Sequence, residues 1–469
     1  MQSTSHPQSC PLTVGIYTLG CKVNQYESEA IAELLCAQGL DAHPAHPSEI
    51  CDAYIINTCT VTAESDRKAR QFIRRALSHN AAAYIVVTGC LAQTNAQSIC
   101  SIAGVDAVVG NRDKLTVVSE LRKLIEQGEK NAAPCVRIPS LDDAPFEEMS
   151  IRDFSRTRAY IKIEDGCESH CTYCIIPAAR GQIRSKRAED VLQEVSLLSK
   201  NGCREVVLTG IETASWGKDL GGADLADLLC AVDAIQGIGR VRLGSLDPSL
   251  MKEPFVKCIS ALSSLAPHFH LSIQSGSSSV LARMRRKYNR DQALAGIARL
   301  RAAIPDVMLT TDIIVGFPGE SDEEFADTLD FVRRARFLMV HIFPYSPRAG
   351  TIAAQMPDQI PAEVKHARLS VLDQTCAQIR AELLTEIIRR ARPLEVLFES
   401  YFDGIATGHT PNFVEVRVPS ERPLGGCIRA VHPLSLDSDG VALCGTLLPL
   451  IAHDQNESTS EQEATPYDI

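Results

Sequence analysis

Hydrophobic positions fall into a repeating pattern over the first quarter of the chain. Short apolar runs at residues 14–18, 53–57, 84–88 and 107–109 are each too brief for a helix and read as buried strands. Between them lie amphipathic stretches, 26–38 and 63–78 the clearest, the first stopping at Gly39. Strand alternating with helix predicts an open parallel sheet. The pattern then lapses in a Pro-, Asp- and Ala-rich stretch and resumes with six further strand candidates: 160–164, 205–209, 240–243, 268–273, 309–315 and 338–343. Helical stretches at 188–200, 225–235, 255–265, 291–304 and 323–336 separate them. Six βα units are too few to close an eight-stranded barrel and predict a partial (βα)6 one. A helical run at 364–391 leads out of it. Beyond, the period drops to two in short strands such as 394–399 and 413–418, punctuated by Gly404, Gly408, Pro411, Gly425 and Gly440, which predicts a small antiparallel β-barrel. The expected layout is an N-terminal domain at 12–125, a linker at 126–153, a barrel core at 154–384, a β-barrel at 388–451 and a disordered acidic tail at 453–469.

Composition changes this picture in two ways. A 469-residue chain with 45% hydrophobic residues is an ordinary multidomain globular protein. Its first ten residues lack a basic and an apolar segment, so no signal peptide is expected. No apolar run has bilayer length. The expectation is a cytoplasmic protein without membrane attachment, and its 17 cysteines then imply reduced thiols and metal ligation, not disulfides. The net charge of −11 speaks against a polyanionic partner unless basic residues are locally concentrated. Three local concentrations exist: Arg67 to Arg75; Arg180, Arg184, Lys186 and Arg187; and Arg283, Arg285, Arg286 and Lys287 beside Tyr288. The first reads as a solvated helix face, and the other two, near strand ends, read as a phosphate grip or as solvated arginines.

The cysteines carry the chemistry. Cys167-Glu168-Ser169-His170-Cys171-Thr172-Tyr173-Cys174 spaces three thiols as C-x3-C-x2-C directly after the first strand of the second series. Three thiolates on one loop can hold three irons of a four-iron cluster and leave the fourth open to a chelating amine and carboxylate. A zinc knuckle is the competing use, with His170 as fourth ligand, although x3-x2 spacing matches paired zinc usage poorly. Cys21, Cys59 and Cys90 each lie just past the carboxyl end of a strand in the first series. In an open parallel sheet those ends line one crevice, so three thiols distant in sequence should converge there. Buried strand-end cysteines without metal are the alternative.

The strand-end rule applied to the second series selects Thr209, Gly210 and Glu212; Ser245; Gln274, Ser275 and Gly276; and Gly316. Small residues there let a backbone approach a ligand, and Gln274, Ser245 and Glu212 offer partners for hydroxyls or an amine. Tyr173 could stack on an adenine or pack in the core.

Taken together, Gly20-Cys21-Lys22-Val23-Asn24-Gln25-Tyr26-Glu27, Asn57-Thr58-Cys59, Thr88-Gly89-Cys90, the Cys167–Cys174 loop with Arg180-Gly181, and Gly316-Phe317-Pro318-Gly319-Glu320 resemble the methylthiotransferase family of radical-SAM enzymes. The resemblance implies two [4Fe-4S] clusters and S-adenosyl-L-methionine (SAM). Cys167, Cys171 and Cys174 would carry the cluster that cleaves SAM to a deoxyadenosyl radical. Cys21, Cys59 and Cys90 would carry an auxiliary cluster that delivers a methylated sulfur, and all six cysteines count as catalytic. Tyr173, Thr209, Gly210, Glu212, Ser245, Gln274, Ser275, Gly276 and Gly316 would bind SAM, and Arg283, Arg285, Arg286 and Lys287 would bind RNA. Leu208-Thr209-Gly210-Ile211, Gln274-Ser275-Gly276-Ser277 and Arg285-Arg286-Lys287-Tyr288 look most like the branch acting on N6-threonylcarbamoyladenosine at tRNA position 37. Other branches act on isopentenyladenosine or on a protein aspartate. A monomer using tRNA and a low-potential donor such as flavodoxin or ferredoxin is the implied setting, and a non-modifying iron–sulfur RNA-binding protein is the rival. The C-terminal barrel, which resembles an RNA-binding barrel, departs from expectation. Residues 392–450 hold four arginines, no lysine and seven acids, a net of −3 that is a poor grip on a polyanion.

Overall fold

The structure is a computed structural model that describes residues 11–46, 48–154 and 157–449; the expected disordered tail lies outside them. The chain divides into two compact units. The first comprises the chain up to Asp153 with Asp165–Glu168 and Cys174–Arg184, and the second comprises Phe154–Glu164, Ser169–Tyr173 and the chain from Ser185 onward.

In the first unit six parallel strands form one sheet in the order β2-β1-β3-β4-β5-β6. They are β1 (Thr13–Thr18), β2 (Asp41–Pro44), β3 (Ala53–Thr58), β4 (Tyr84–Gly89), β5 (Ala107–Val109) and β6 (Cys135–Arg137). Both faces are covered, which explains why β3 and β4 read as continuous apolar runs without alternation. Ile31, Leu35, Val117 and Leu121 of helices Lys22–Cys36 and Thr116–Gln127 pack on one face. Ala69, Ile73 and Ala76 of helix Ala63–His79 pack on the other. Strand order reverses between β1 and β3, the topological switch point where such sheets bind ligands.

Two elements depart from the sequence expectation. β2 (Asp-Ala-His-Pro) and β6 (Cys-Val-Arg) are edge strands too short to show a period. β6 falls within the stretch read as linker, and it pairs with β5 through Ala107, Val108 and Val109. Further on in that stretch, Met149 and Ile151 are buried, and Tyr26 Oη donates to Met149 O at 2.5 Å.

β7 (Ala159–Lys162) opens the second unit, and the two-residue strands β8 (Glu164–Asp165) and β9 (Arg184–Ser185) flank the cysteine loop in sequence. β10 (Glu205–Thr209), β11 (Arg240–Leu243), β12 (His268–Gln274), β13 (Met308–Val315) and β14 (Met339–Pro344) follow. All pair in parallel, β11-β10-β7 and β12-β13-β14. Two parallel bridges, Val241↔Leu265 and Leu246↔Leu271, join the halves into one open six-stranded barrel wall.

Helix Ala362–Arg390 contributes Leu384 to a core shared with Val396, Phe398, Val416 and Val431 of the last region. There β15 (Leu394–Phe402), β16 (Ile405–His409), β17 (Glu415–Pro419), β18 (Ile428–Leu436) and β19 (Leu443–Leu447) close a barrel. Four of its pairings are antiparallel and one, β17 with β19, is parallel. An odd ring cannot alternate direction throughout, so the sequence expectation of an antiparallel barrel holds for all pairings but one. Among the described residues no helix is long and apolar enough to cross a membrane.

Candidate functional site

In the first unit Cys21, Cys59 and Cys90 follow the ends of β1, β3 and β4, which lie side by side in the sheet. Gly20, at φ +110°, makes the approach possible: a Cβ there would lie 2.8 Å from Cys59 Cβ and 3.1 Å from Cys59 Sγ. Asn24 ties two strand ends together, donating from Nδ2 to Leu19 O at 2.7 Å and Thr58 O at 3.1 Å. The three thiols feel one another. Burial first, then the charge of Cys90 and more weakly that of Cys21, push the Cys59 thiol up to about 12.

Cations stand behind these sulfurs. Arg180, fully buried, donates from Nε to Cys90 Sγ at 3.4 Å, and Asn111 Nδ2 donates to the same sulfur at 3.6 Å. Arg180 is held in turn by Glu27 Oε1 at 2.6 Å, by Asp165 at 3.3 Å and by Asn24 Oδ1. Lys114, also fully buried, pairs with Glu27. Burial works against the Lys114 ammonium and lowers its pKa, while Glu27 opposes the shift. Breaking a buried pair costs roughly 3–5 kcal/mol, so each loss from this network destabilises the unit. Thiolates gathered beside guanidinium and amide donors suit an anionic iron–sulfur centre, since hydrogen bonds to the sulfurs stabilise the ligated form.

In the Cys167–Cys174 loop, Gly166 at φ +91° sets the entry; a Cβ there would lie 1.9 Å from Gln182 O. Cys167 N–H donates to Gly181 O at 3.0 Å, and Ile176 N–H donates to Cys174 Sγ at 3.5 Å, all within the first unit. Within the second unit Arg286 Nη1 donates to Cys171 Sγ at 3.3 Å. Arg286 is anchored by Asp247 at 2.8 Å and Ser272 O at 3.0 Å. Thr172 N–H donates to Met284 O at 3.1 Å. Tyr173 packs against an apolar cluster that includes Val280, Met284 and Phe317, the core alternative for that ring.

The strand-end candidates divide. Thr209, buried, and Gly210 end β10, where Glu164 Oε2 accepts from Glu212 N–H at 2.7 Å. A Cβ at Gly210 would lie 2.6 Å from that same carboxylate oxygen. Glu212 and Asp247 line a cavity of about 550 Å³ with Ser169 and Lys287. Burial, then the neighbouring Asp247, raise the Glu212 carboxyl to about 7. Ser245 is exposed past β11. Gln274 ends β12 at φ +69°. Ser275 and Gly276 turn toward helix Asp322–Ala335: Gly276 N–H donates to Thr328 Oγ1 at 3.2 Å, and a Cβ on it would meet Phe331 at 2.5 Å. Gly316 sits at φ +70° against Lys365, its N–H donating to Glu320 at 3.1 Å.

The basic groups also divide. Arg285 and Lys287 are exposed. Arg283 is a bidentate partner of Glu324 (2.8 and 2.7 Å), and Arg286 serves the cysteine loop. Arg184 bonds Arg180 O, Lys186 pairs with Glu194 in the interior, and Arg187 pairs with Asp190. Arg180, Arg184 and Lys186 are thus internal, and Arg187 alone of that group is exposed. Sequence reasoning missed Lys114 and Asn111, which carry no local signal. Glu27 and Asn24 were visible only inside the quoted motifs, and Arg180 there and as part of a basic cluster.

Comparison with known proteins follows the same division. The Radical SAM superfamily profile matches residues 161–332, and that of the Uncharacterized protein family UPF0004 matches 13–110. The chain is 38% identical over 411 residues to the Threonylcarbamoyladenosine tRNA methylthiotransferase MtaB of Bacillus subtilis, covering 86% of this chain and 90% of that one. It is 38% identical to the protein of the same name from Thermotoga maritima, covering 92% and 96%. A tRNA-2-methylthio-N(6)-dimethylallyladenosine synthase of Desulfitobacterium hafniense is 34% identical, with 93% and 97% covered. Among solved structures, the radical S-adenosylmethionine methyltransferase TsrM from Kitasatospora setae superposes with a TM-score of 0.52 at 16% identity, over 73% of this chain and 77% of that one, a likeness of fold.

Proposed function

The chain belongs to the radical-SAM methylthiotransferases, and from that premise we propose that it adds a methylthio group to carbon 2 of N6-threonylcarbamoyladenosine at position 37 of tRNA. The observation that carries this reading is the gathering of Cys21, Cys59 and Cys90 beside Arg180. A barrel that only cleaved SAM would have no use for a second thiol set built into a separate sheet. The substrate branch rests on relatives of nearly full length whose names specify threonylcarbamoyladenosine.

Radical-SAM chemistry requires a [4Fe-4S] cluster and SAM. In our reading Cys167, Cys171 and Cys174 would hold that cluster, and Cys21, Cys59 and Cys90 a second. When bound, these groups supply the electron, the radical and the sulfur, which an aromatic C–H with no acidic proton and no leaving group demands. The chain's own residues do the positioning. Arg286 fixes Cys171 and offsets its charge. Arg180 and Asn111 do so for Cys90. Glu212 and Asp247 offer carboxylates to an amine entering their cavity, and a cation there would draw the Glu212 carboxyl back toward ionisation.

At Gly210 and Gly316 the space beside the backbone is taken by Glu164 and Lys365, so a ligand there would meet those side chains. tRNA would be gripped by the exposed Arg285 and Lys287, not by the acidic C-terminal barrel. A cytoplasmic monomer served by flavodoxin or ferredoxin completes the proposal. Mass spectrometry of tRNA nucleosides, after reaction of the reconstituted protein with SAM and reductant, tests it. The methylthio derivative of threonylcarbamoyladenosine is expected, and tRNA left unchanged defeats the reading.

A further inference from the structure

Three neighbouring strands of the open barrel put His270, Asp312 and His341 side by side. Asp312 on β13 is the direct partner of His341 on β14, and His270 on β12 pairs with Thr310, two residues away. One polar atom of each lies within 4.8 Å of those of the other two. His270 Nε2 is 3.2 Å from the Asp312 carboxylate, and the two imidazole centroids are 5.8 Å apart.

Strand alternation fixes which way they face. Phe269, Leu271, Thr311 and Ile313, the flanking residues, are buried on the helix-covered side. His270 and Asp312 are half-buried and His341 is exposed, on the concave side of the wall. Phe343, two residues beyond His341 on the same face, is 41% exposed.

The cluster is built, not scattered. His270 Nδ1 is engaged by Thr310 Oγ1 at 3.0 Å, which orients the ring and turns Nε2 toward Asp312. Thr310 is itself buried and meets His268 Nε2 at 3.0 Å. The set therefore presents imidazole nitrogens and a carboxylate at one spot, with a flat apolar ring about 7 Å along the strand. A purine can stack on such a ring. A substituent reaching from it toward the polar cluster must offer both acceptors and donors.

We propose that His270, Asp312 and His341, with Phe343 beside them, hold the N6 substituent of the substrate adenosine and select a hydrophilic group over an aliphatic one. This rests on the reading of the function given above. A threonylcarbamoyl group carries a carboxylate and a carbonyl for the imidazoles, and a hydroxyl and urea N–H groups for Asp312. An isopentenyl group offers these side chains neither a donor nor an acceptor, the contrast a polar site uses to discriminate.

The test uses the reconstituted full chain and two anticodon stem-loops, identical except for threonylcarbamoyl or isopentenyl on the target adenosine. The wild-type protein should favour the first. In His341→Leu and Asp312→Asn its KM should rise more than its kcat falls, and the preference in kcat/KM should narrow about tenfold or more. Equal losses on both stem-loops, or a loss confined to kcat, overturn the proposal. Stoichiometric zinc or manganese in the purified protein that disappears in Asp312→Asn overturns it too, by giving the three groups to a metal ion. A wild-type protein that modifies only the isopentenyl stem-loop instead overturns the proposed substrate, and the pocket assignment with it.

Discussion

The two cysteine sets, each proposed to hold a cluster, are assembled by opposite routes. Cys167, Cys171 and Cys174 are neighbours in sequence, and the loop needs little more than a glycine at Gly166 and a few hydrogen bonds to hold its course. Cys21, Cys59 and Cys90 follow three adjacent strand ends held close by Gly20 and Asn24, and two buried cations, Arg180 and Lys114, pair with the carboxylates behind them. A local motif depends less on distant pairing to keep its thiols near one another. A gathered one depends on it more, because whatever loosens the sheet disperses its ligands.

Substitutions sharpen that contrast. The largest effect is expected from Arg180→Met, which leaves Glu27 and Asp165 buried with one cation fewer and should cost about 3–5 kcal/mol. Thermal or denaturant unfolding of the variant should show it as an early transition; a midpoint equal to wild type would mean that the network is dispensable. Smaller and site-selective effects are expected at the two glycines. Gly20→Ala should cost about 1–3 kcal/mol through backbone strain and contact with Cys59, with iron loss at the gathered set. Gly166→Ala should instead abolish SAM cleavage while sparing the N-terminal sheet, as read by deoxyadenosine release beside circular dichroism. Reversal of those two phenotypes would contradict the division.

The smallest effect concerns pH. Glu212 has its carboxyl raised to about 7, so the ligand-free protein binds this proton more tightly than the unfolded chain does. Its contribution is fully present below the ordinary carboxylate range near 4.5 and is lost as pH rises through about 7. Glu212→Gln should flatten the dependence of stability on pH across that window, and an unchanged slope would place the titration elsewhere.

Much of this was legible in the chain. Strand-end cysteines followed from apolar runs ending in Leu-Gly-Cys, Asn-Thr-Cys and Thr-Gly-Cys, because parallel strands put their carboxyl ends on one side. The six barrel strands were legible for the same reason. The edge strands β2 and β6 were not, since three or four residues are too few to carry a period. Charge was the poorest guide. Arg184, Lys186 and Arg286 sit in basic clusters yet are buried among carboxylates and a thiol, a fate decided by tertiary neighbours that composition cannot reveal. Lys114 was invisible for that reason too, its partner Glu27 lying far back in the chain.

Iron content tests the central claim most directly. After anaerobic reconstitution the wild-type chain should hold about eight irons, as two four-iron clusters. Cys21→Ala and Cys171→Ala should each retain about half, with SAM cleavage surviving only in the first. About four irons in the wild-type protein, or loss of all iron from Cys21→Ala with the fold intact, would contradict two separate thiol sets.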